Sequence, residues 1–467
     1  MTSYMLNLRC MAVVVAAGAV LVGCSANDKL LSATDPDIIN PSDLNSPDGA
    51  EALRVGALGR LKHATVGDPN TNEGPWMMDG LLVDEYRSGD TFIQRDETDQ
   101  RNVEVSNSFI SNDYRFISRA RVAAVQAIVM LRKYPNRAST VAAVGQMFFV
   151  KGFAELQSAQ DFCNGQPFAN IDMTTGISTT GDPISVVDAF KLAAASFDSA
   201  LANDKLPSGA VDNSVLYAAQ IGKGRALLGI GGQGAAAAAA VAGVPTNYTF
   251  NETWSAGKED NQIWALNISA RRLSVQDSVD ELGTVVNALP FVSAKDPRVP
   301  TSKPFKFSFD GVTLYTAQGV WPVRDTPVSV VNGIDARLIE AEAAYQSGDY
   351  GTATTGTLAI LNALRGSPQT LGAVTTPAMT ALTDPGNDPA RLAQLFREKA
   401  FWTFGRGQRL GDLRRLIRQY TLTPAQVFPG ENAPWFKSGN YGHDVNFPIP
   451  QSELNNSNFH GCTDRSA

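Results

Sequence analysis

Cysteine and histidine are scarce in this chain of 467 residues, which contains four cysteines and three histidines. These few residues show no spacing typical of metal ligands, so the sequence predicts no metal site, and no motif calls for a cofactor. The basic residues form no long block, and the net charge is −7. Nucleic-acid-binding proteins need a basic stripe, so the composition argues against that class of partner.

Catalytic motifs are also missing. Residues 229–234 fit the pattern G-x-G-x-x-G, but they follow a helical stretch rather than a strand, which favours a turn between two helices over a nucleotide-binding loop. The chain contains neither H-E-x-x-H nor G-x-S-x-G. Aspartate and glutamate are too plentiful for sequence alone to identify a carboxylate pair that hydrolyses glycosides. We therefore predict a binding protein and not an enzyme.

The only apolar run of note lies at the amino terminus, after the basic residue Arg9. It covers Met11–Val22, about 12 residues, whereas a bilayer-spanning helix needs roughly 20. A basic start, a short apolar run and small residues are typical of a signal peptide. The run ends in Leu21-Val22-Gly23-Cys24, which resembles the lipobox of bacterial lipoproteins. We therefore predict a signal peptide over residues 1–23, lipid attachment at Cys24 and anchoring to a membrane.

Two cysteines remain once Cys10 leaves with the signal peptide and Cys24 takes the lipid. These are Cys163 and Cys462. Two thiols outside the inner membrane can form a disulfide. The sequence does not show whether they are close, so one disulfide and two buried free thiols both remain open.

The rest of the chain is predicted to be helical, with long loops between helices. Residues 24–47 are polar and turn-rich and are interpreted as a lipidated tether and an N-terminal loop. We predict one large domain over 48–467, with an N-terminal part at about 48–260 and a C-terminal part at about 261–467. Amphipathic spacing predicts helices from Asp48 to His63 and over Tyr114–Tyr134, Val141–Phe162, Val186–Leu201 and Asp212–Gly229.

Two segments have the pattern of a helix hairpin. Gly333–Arg365 spans about 34 residues, the length of a tetratricopeptide unit, and is broken near Ser347–Tyr350. Ile221–Gly243 has glycines at its turn and alanines in its second helix. Repeated hairpins predict a mainly α fold: a tetratricopeptide-like helix-hairpin scaffold with large ordered loops and minor β structure. An unrelated helical bundle is the alternative.

Three long stretches between the predicted helices are rich in aromatic residues. They cover residues 65–105, 292–331 and 424–447, and the second contains the alternating run Phe305-Lys-Phe-Ser-Phe309. Loops of this length in a compact protein are usually functional.

The C-terminal third carries a family resemblance. Residues 396–415 read FREKAFWTFGRGQRLGDLRR, and residues 445–458 read VNFPIPQSELNNSN. Both resemble the SusD/RagB family of outer-membrane nutrient-binding lipoproteins, although Arg406 stands where that family has a glutamate. We expect the matching residues to hold the helical core, and helical spacing lets Arg409 pair with Asp412. The residues that match are Arg397, Glu398, Gly407, Arg409, Asp412, Leu413, Pro448, Ile449, Pro450, Glu453, Leu454 and Asn456.

The resemblance implies a function. It implies an outward-facing lipoprotein of the cell outer membrane that binds a glycan or oligosaccharide and delivers it to a SusC-like TonB-dependent transporter. A peptide-binding lid of the same kind, or a tetratricopeptide-type scaffold for protein interactions, is the alternative. Ligand contacts are expected in the aromatic loops, where the other interpretation is that the tryptophans anchor the loops to the scaffold. The candidate residues are Trp76, Tyr86, Arg87, Asp90, Tyr315 and Trp321.

Overall fold

The signal peptide, Cys24 and nearly all of the tether lie outside the residues that the computed structural model describes. Among the described residues, no helix is both long enough and apolar enough to cross a membrane. The described residues are 45–70, 73–279, 283, 287–352, 354–430 and 433–467.

Helices that pack against one another in chain order build the N-terminal half. The helices are α1 (Pro47–His63), α2 (Pro75–Leu82), α3 (Ile93–Asp99), α4 (Ser108–Lys133), α5 (Ala143–Asp161), α6 (Val186–Leu201), α7 (Asn213–Ile230) and α8 (Gly234–Val241). Among them, α4 packs on α1 and α5, and α6 packs on α5 and α7. Four of these helices begin where a side-chain oxygen, of Ser46, Asn107, Ser185 or Asp212, accepts first-turn N–H groups.

The helices predicted from spacing in this half are confirmed, with small changes at their ends. The glycine-rich motif is a turn between helices, as predicted, because α7 ends at Ile230 and α8 begins at Gly234. Gly231 and Gly232 between them have φ angles of 88° and 65°, which side chains other than glycine rarely adopt.

The C-terminal half contains the predicted tetratricopeptide-like pair. The helices of this half are α9 (Gln262–Trp264, continued by a π turn over Ala265–Ser269), α10 (Gly333–Gln346), α11 (Gly356–Arg365), α12 (Asp388–Thr403), α13 (Arg409–Tyr420) and α14 (Pro424–Val427), with a 3₁₀ turn at Gln451–Asn455. The pair consists of α10 and α11, which pack on each other, and α10 also packs on α8 of the preceding hairpin. The mainly α fold with helix hairpins is therefore confirmed.

The β structure is minor and serves the loops. Each sheet in the described part of the chain is one antiparallel pair. The β6–β10 pair has an irregular register between Ser329 and Val331. The pairs are β1 (Tyr86–Ser88) with β7 (Leu273–Val275), β2 (Gln166–Pro167) with β5 (Pro183–Ile184), β3 (Asn170–Ile171) with β4 (Ser178–Thr179), β6 (Thr249–Glu252) with β10 (Val328–Asn332), β8 (Thr301–Ser302) with β9 (Ala317–Gln318), and β11 (Thr370–Leu371) with β12 (Val374–Thr375).

A disulfide holds the C-terminal tail against the end of α5. Cys163 is joined to Cys462 across 299 residues of sequence, with the Cα atoms 5.9 Å apart. Beside it, Asn164 pairs with Asp464 in an isolated β bridge. Of the two possibilities that the sequence left open, the structure has the disulfide.

Glu398, the glutamate of the Arg-Glu pair in the family resemblance, is the centre of a buried charge cluster, which we call the hub. Glu398 is 1% exposed. Its carboxylate accepts bonds of 2.6 and 3.1 Å from Arg298, and of 3.0 and 3.2 Å from Arg365. Asp296 holds Arg298 from the other side. This hub ties α12 to α11 and to the loop before β8.

The expected pair between Arg409 and Asp412 is not formed. Arg409 instead donates to the carbonyl oxygen of Val83, which follows α2. Asp412 accepts from Lys399 on α12 and from Arg415 one turn further along α13. Helical spacing allowed the pair, but two cations from other positions took the carboxylate.

Three further buried ion pairs join α10 to α12, to α13 and to the turn between them. Glu342 accepts from Lys399 and Arg415. Burial opposes its ionisation, but the two cations outweigh burial and lower its pKa to about 2. Arg406, where the family pattern has a glutamate, reaches Asp335 with bonds of 3.0 and 2.7 Å.

Candidate functional site

The two tryptophans predicted to contact ligand are buried. The indole N–H of Trp76 donates to Gln157 on α5 at 3.2 Å. The indole of Trp321 lies against Gly372 and Gly405. Neither ring face is open to solvent, and this placement favours the interpretation in which the tryptophans anchor the loops.

The other four predicted residues are buried as well. The Tyr86 ring lies 5.2 Å from that of Phe404, and the hydroxyl of Tyr315 donates to the carbonyl oxygen of Asn267. Arg87 donates to the carbonyl oxygen of Leu314, while Asp90 accepts from Arg95 and Arg272. These contacts join the loops to one another, and a direct ligand contact by any of the six residues stays a prediction that burial argues against.

The same loops expose phenylalanines instead. Phe92 is 46% exposed, Phe305 52% and Phe309 46%. Together with Arg271 and Arg272, these rings form what we call the aromatic loop surface. The alternation in Phe305-Lys-Phe-Ser-Phe309 was the signal in the sequence, since such alternation turns every second side chain to the same side.

Arginines hold the rings of this surface in place. Arg272 lies between two rings, with its Cζ atom 3.9 Å from the centroid of Phe309 and 5.1 Å from that of Phe92. The Cζ atom of Arg271 lies 4.5 Å from the centroid of Phe305. Cations at such distances are attracted to ring faces. The rings are therefore fixed before any ligand arrives.

Backbone contacts bring the predicted loops together beneath these rings. Gly89 donates to the carbonyl oxygen of Arg272 and accepts from the N–H of Asp310, while the N–H of Phe309 donates to the carbonyl oxygen of Arg271. A Cβ atom on Gly89 would lie 2.2 Å from the Cβ of Ser308, so only glycine permits this approach.

The third aromatic loop is fastened to the same place through Lys437. Its ammonium lies 2.7 Å from Asp96 and 3.2 Å from Asp310, and it donates to the carbonyl oxygen of Asp90. Burial opposes ionisation of Asp310, but the bonds from Thr313 and the charge of Lys437 outweigh it, so the pKa of Asp310 lies below its ordinary value. The three long loops thus converge on one surface.

Solved structures share the fold of this chain. No family model matches the chain, and no curated protein sequence matches it. A SusD superfamily protein from Parabacteroides distasonis aligns at 14% identity over 89% of this chain and 98% of its own, with a TM-score of 0.62. A SusD-like carbohydrate-binding protein from Bacteroides fragilis aligns at 15% identity over 89% and 99%, with the same TM-score. The chain has the SusD fold. B. fragilis NanU also aligns, at 14% identity over 92% and 100%, with a TM-score of 0.58.

A separate cleft lies beneath the β3–β4 hairpin. It has a volume of about 1080 Å³, and its lining includes aliphatic side chains, three cations, three aspartates and the ring of Phe168. Two of its cations, Arg121 and Lys151, already bind the buried carboxylate of Glu155 at 2.7 Å each. Ile177 on the hairpin is 65% exposed. The ring of Phe168 lies under Arg121 and is only partly exposed, whereas the three phenylalanines of the aromatic loop surface are about half exposed.

Proposed function

We propose that this protein is an outer-membrane lipoprotein that binds a glycan on its aromatic loop surface and passes it to a SusC-like TonB-dependent transporter. The observation that carries the proposal is the set of exposed rings, Phe92, Phe305 and Phe309, fixed by arginines where the loops converge. The SusD fold supports it, since SusD-like carbohydrate-binding proteins share that fold.

The chemistry of the surface suits a sugar. A sugar ring has an apolar C–H face and hydroxyl groups around its edge. Exposed aromatic faces can stack on the former, while neighbouring donors such as Arg271 can bind the latter. Because the rings and their arginines are already in contact, binding does not have to order them first.

The anchor belongs to the same proposal. Lipidation of Cys24 would hold the protein at the membrane through residues 24–47, which lead into α1 at Pro47. Attachment keeps the binding surface beside the transporter, so no diffusion step between the two proteins is needed. We treat 48–467 as one domain, since β6 pairs with β10 and α8 packs on α10 across the boundary near residue 260.

Truncation of the exposed rings tests the site. The protein is first screened on arrays of glycans and peptides, and binding of the best ligand is then measured by calorimetry. Phe305→Ala and Phe309→Ala should each weaken binding by about 1–3 kcal/mol if the rings stack on ligand. Ile177→Ala removes an apolar side chain that is more exposed than either ring and lies beside the other cleft, and this variant should bind normally. The reverse pattern would place the ligand in that cleft instead.

Partnership and anchoring need separate measurements. Intact mass of the membrane-bound protein should show acyl groups on Cys24, and Cys24→Ser should release the protein from membranes.

Extraction of native membranes in mild detergent should yield a large outer-membrane barrel with this chain. A ligand that binds should remain chemically intact, whereas turnover that one carboxylate substitution abolishes would contradict a pure binding role. Arrays on which only peptides bind would favour the peptide-binding lid.

A further inference from the structure

The charges at the aromatic loop surface are out of balance. The chain as a whole carries a net charge of −7. Yet Arg271 lies on this surface, Lys303 and Lys306 flank Phe305 in the sequence, and none of the three forms an ion pair with any described residue. Lys303 and Lys306 are exposed, and Arg271 is half-buried.

The carboxylates nearby are already neutralised. Asp90 pairs with Arg95 and Arg272, while Asp96 and Asp310 share Lys437. The exposed fractions of the three carboxylate side chains are 0%, 18% and 7%, so they present little negative charge to solvent. Of the charged groups named here, those without an ion-pair partner among the described residues are all cations.

Arg271 is also held in a strained backbone conformation. Its φ angle is 56°, in the left-handed region that residues other than glycine seldom occupy. The N–H of Phe309 binds its carbonyl oxygen, and its guanidinium covers the ring of Phe305. Strain of about 1–3 kcal/mol persists where surrounding contacts enforce it, and such residues cluster at functional sites.

We infer that the ligand is an acidic glycan, one that carries carboxylate or sulfate groups. This inference rests on the proposed function, in which the surface binds a glycan. The planar guanidinium of Arg271 can hold a carboxylate through two parallel hydrogen bonds while the sugar ring stacks on an adjacent phenylalanine. Lys303 and Lys306 supply further charge along the same segment and attract anions towards a protein that is negative overall.

An acidic peptide shares the charge but fits the surface less well. Peptides are commonly bound by addition to a strand edge or by a helix in a groove. The aromatic loop surface offers separate ring faces bordered by cations, the adjoining strands β1 and β7 are buried, and β8, which precedes Phe305, is only two residues long. The geometry therefore favours a sugar ring over an extended peptide.

The first test compares charged and neutral ligands on the full chain in detergent. A glycan array should contain uronate-bearing and sulfated oligosaccharides beside neutral ones of matched length, with oligoglutamate peptides as a separate set. Acidic glycans should bind best, and their affinity should fall as salt rises from 50 to 500 mM, because exposed charges are screened. If neutral glycans bind equally well, the inference is wrong and the proposed function stands. If only oligoglutamate binds, or nothing binds, both are wrong.

The second test removes the unpaired cations. An exposed ion pair contributes about two- to fivefold to affinity, so the three together should contribute roughly 10- to 100-fold. The variant combines Arg271→Gln, Lys303→Gln and Lys306→Gln. Its affinity for the acidic glycan should fall by that factor while its melting temperature stays near that of the parent protein. Unchanged affinity in a folded variant would overturn the inference.

A matched control removes the same charge elsewhere. It combines Lys133→Gln, Arg137→Gln and Lys205→Gln, three exposed positions. Lys133 ends α4, whose first turn contacts Phe92 through Phe109, and 24 residues at ~1.5 Å each place Lys133 about 36 Å from Phe109 along the helix. This variant should bind the acidic glycan as tightly as the parent protein. An equal loss in both variants would mean that net charge, rather than the surface, sets the affinity.

Discussion

Replacing Glu398 by glutamine tests how the SusD fold holds its loops to its helices. The substitution keeps the shape of the side chain but removes its charge. Arg298 and Arg365 would then lose the carboxylate to which each donates twice. Arg298 would keep Asp296, whereas Arg365 would keep only its bond to the carbonyl oxygen of Thr380.

The magnitude follows from burial. Removing one partner of a buried ion pair costs about 3–5 kcal/mol, because the other charge is left without compensation. Asp296 still compensates Arg298, and the guanidinium of Arg365 is partly exposed. We therefore expect the lower end, about 3 kcal/mol. Domains are commonly stable by only ~5–15 kcal/mol, so this loss is large.

Urea unfolding followed by tryptophan fluorescence measures the effect. Trp402 is buried, with its ring 4.9 Å from the Cζ atom of Arg298, and so reports on this region. With an m-value of ~3 kcal/mol/M, the midpoint should fall by about 1 M. Asp384→Asn is the control, since it removes an equivalent charge from an exposed pair with Arg391 and should leave the midpoint unchanged. Equal midpoints for the parent protein and Glu398→Gln would refute the reasoning.

Three further predictions concern stability. Burial is the main cause that raises the pKa of Glu252 from 4.5 to about 8, so this group adds stability below pH 4.5 that is lost as the pH rises through 8. Melting temperatures at pH 5 and pH 9 should therefore differ less in Glu252→Gln than in the parent protein. Arg406→Glu restores the acid of the family pattern, yet it should lower stability by about 3–5 kcal/mol because it faces the buried Asp335; a urea midpoint no lower than that of Arg406→Gln would contradict this. Cys163→Ser should cost about 2–5 kcal/mol under oxidising conditions by freeing Cys462, and dithiothreitol should remove the difference from the parent protein.

The helices could be predicted from sequence because their signals are local. The apolar spacing along α6 and the serine that caps it predict both its existence and its bounds, Val186–Leu201. Where α13 begins was harder to predict. The run 396–415 contains no proline, yet the chain turns between Thr403 and Arg409, where Gly405 and Gly407 have φ angles of 67° and 58°. Two glycines in left-handed conformations make that turn, and this local signal is not part of helical periodicity.

Contacts between distant residues could not be predicted for the same reason. Helical spacing allows an ion pair between Arg409 and Asp412, but the carboxylate of Asp412 accepts hydrogen bonds from Lys399 and Arg415 instead. Likewise, the sequence identified Cys163 and Cys462 as the remaining thiols without showing that the tail returns to the end of α5. Lys399 lies 13 residues from Asp412, and the carbonyl oxygen that Arg409 binds lies 326 residues away, so helical spacing reports neither contact.

The predicted ligand residues show a more specific limit of sequence analysis. A large ring in a loop can either contact ligand or anchor the loop to the helices, and the sequence does not tell which. A Cβ atom at Gly407 would lie 2.0 Å from Cδ1 of Trp76, and one at Gly405 would lie 3.0 Å from Cζ3 of Trp321. The glycines between α12 and α13 thus leave room for the rings of Trp76 and Trp321. These rings therefore pack with the segment that carries the family resemblance. Phe305 and Phe309 do not pack against these glycines and contact arginines at the surface instead. In this chain, the loop aromatics that pack against Gly405 and Gly407 anchor the loops, and ligand contacts should be sought among Phe92, Phe305 and Phe309, which do not.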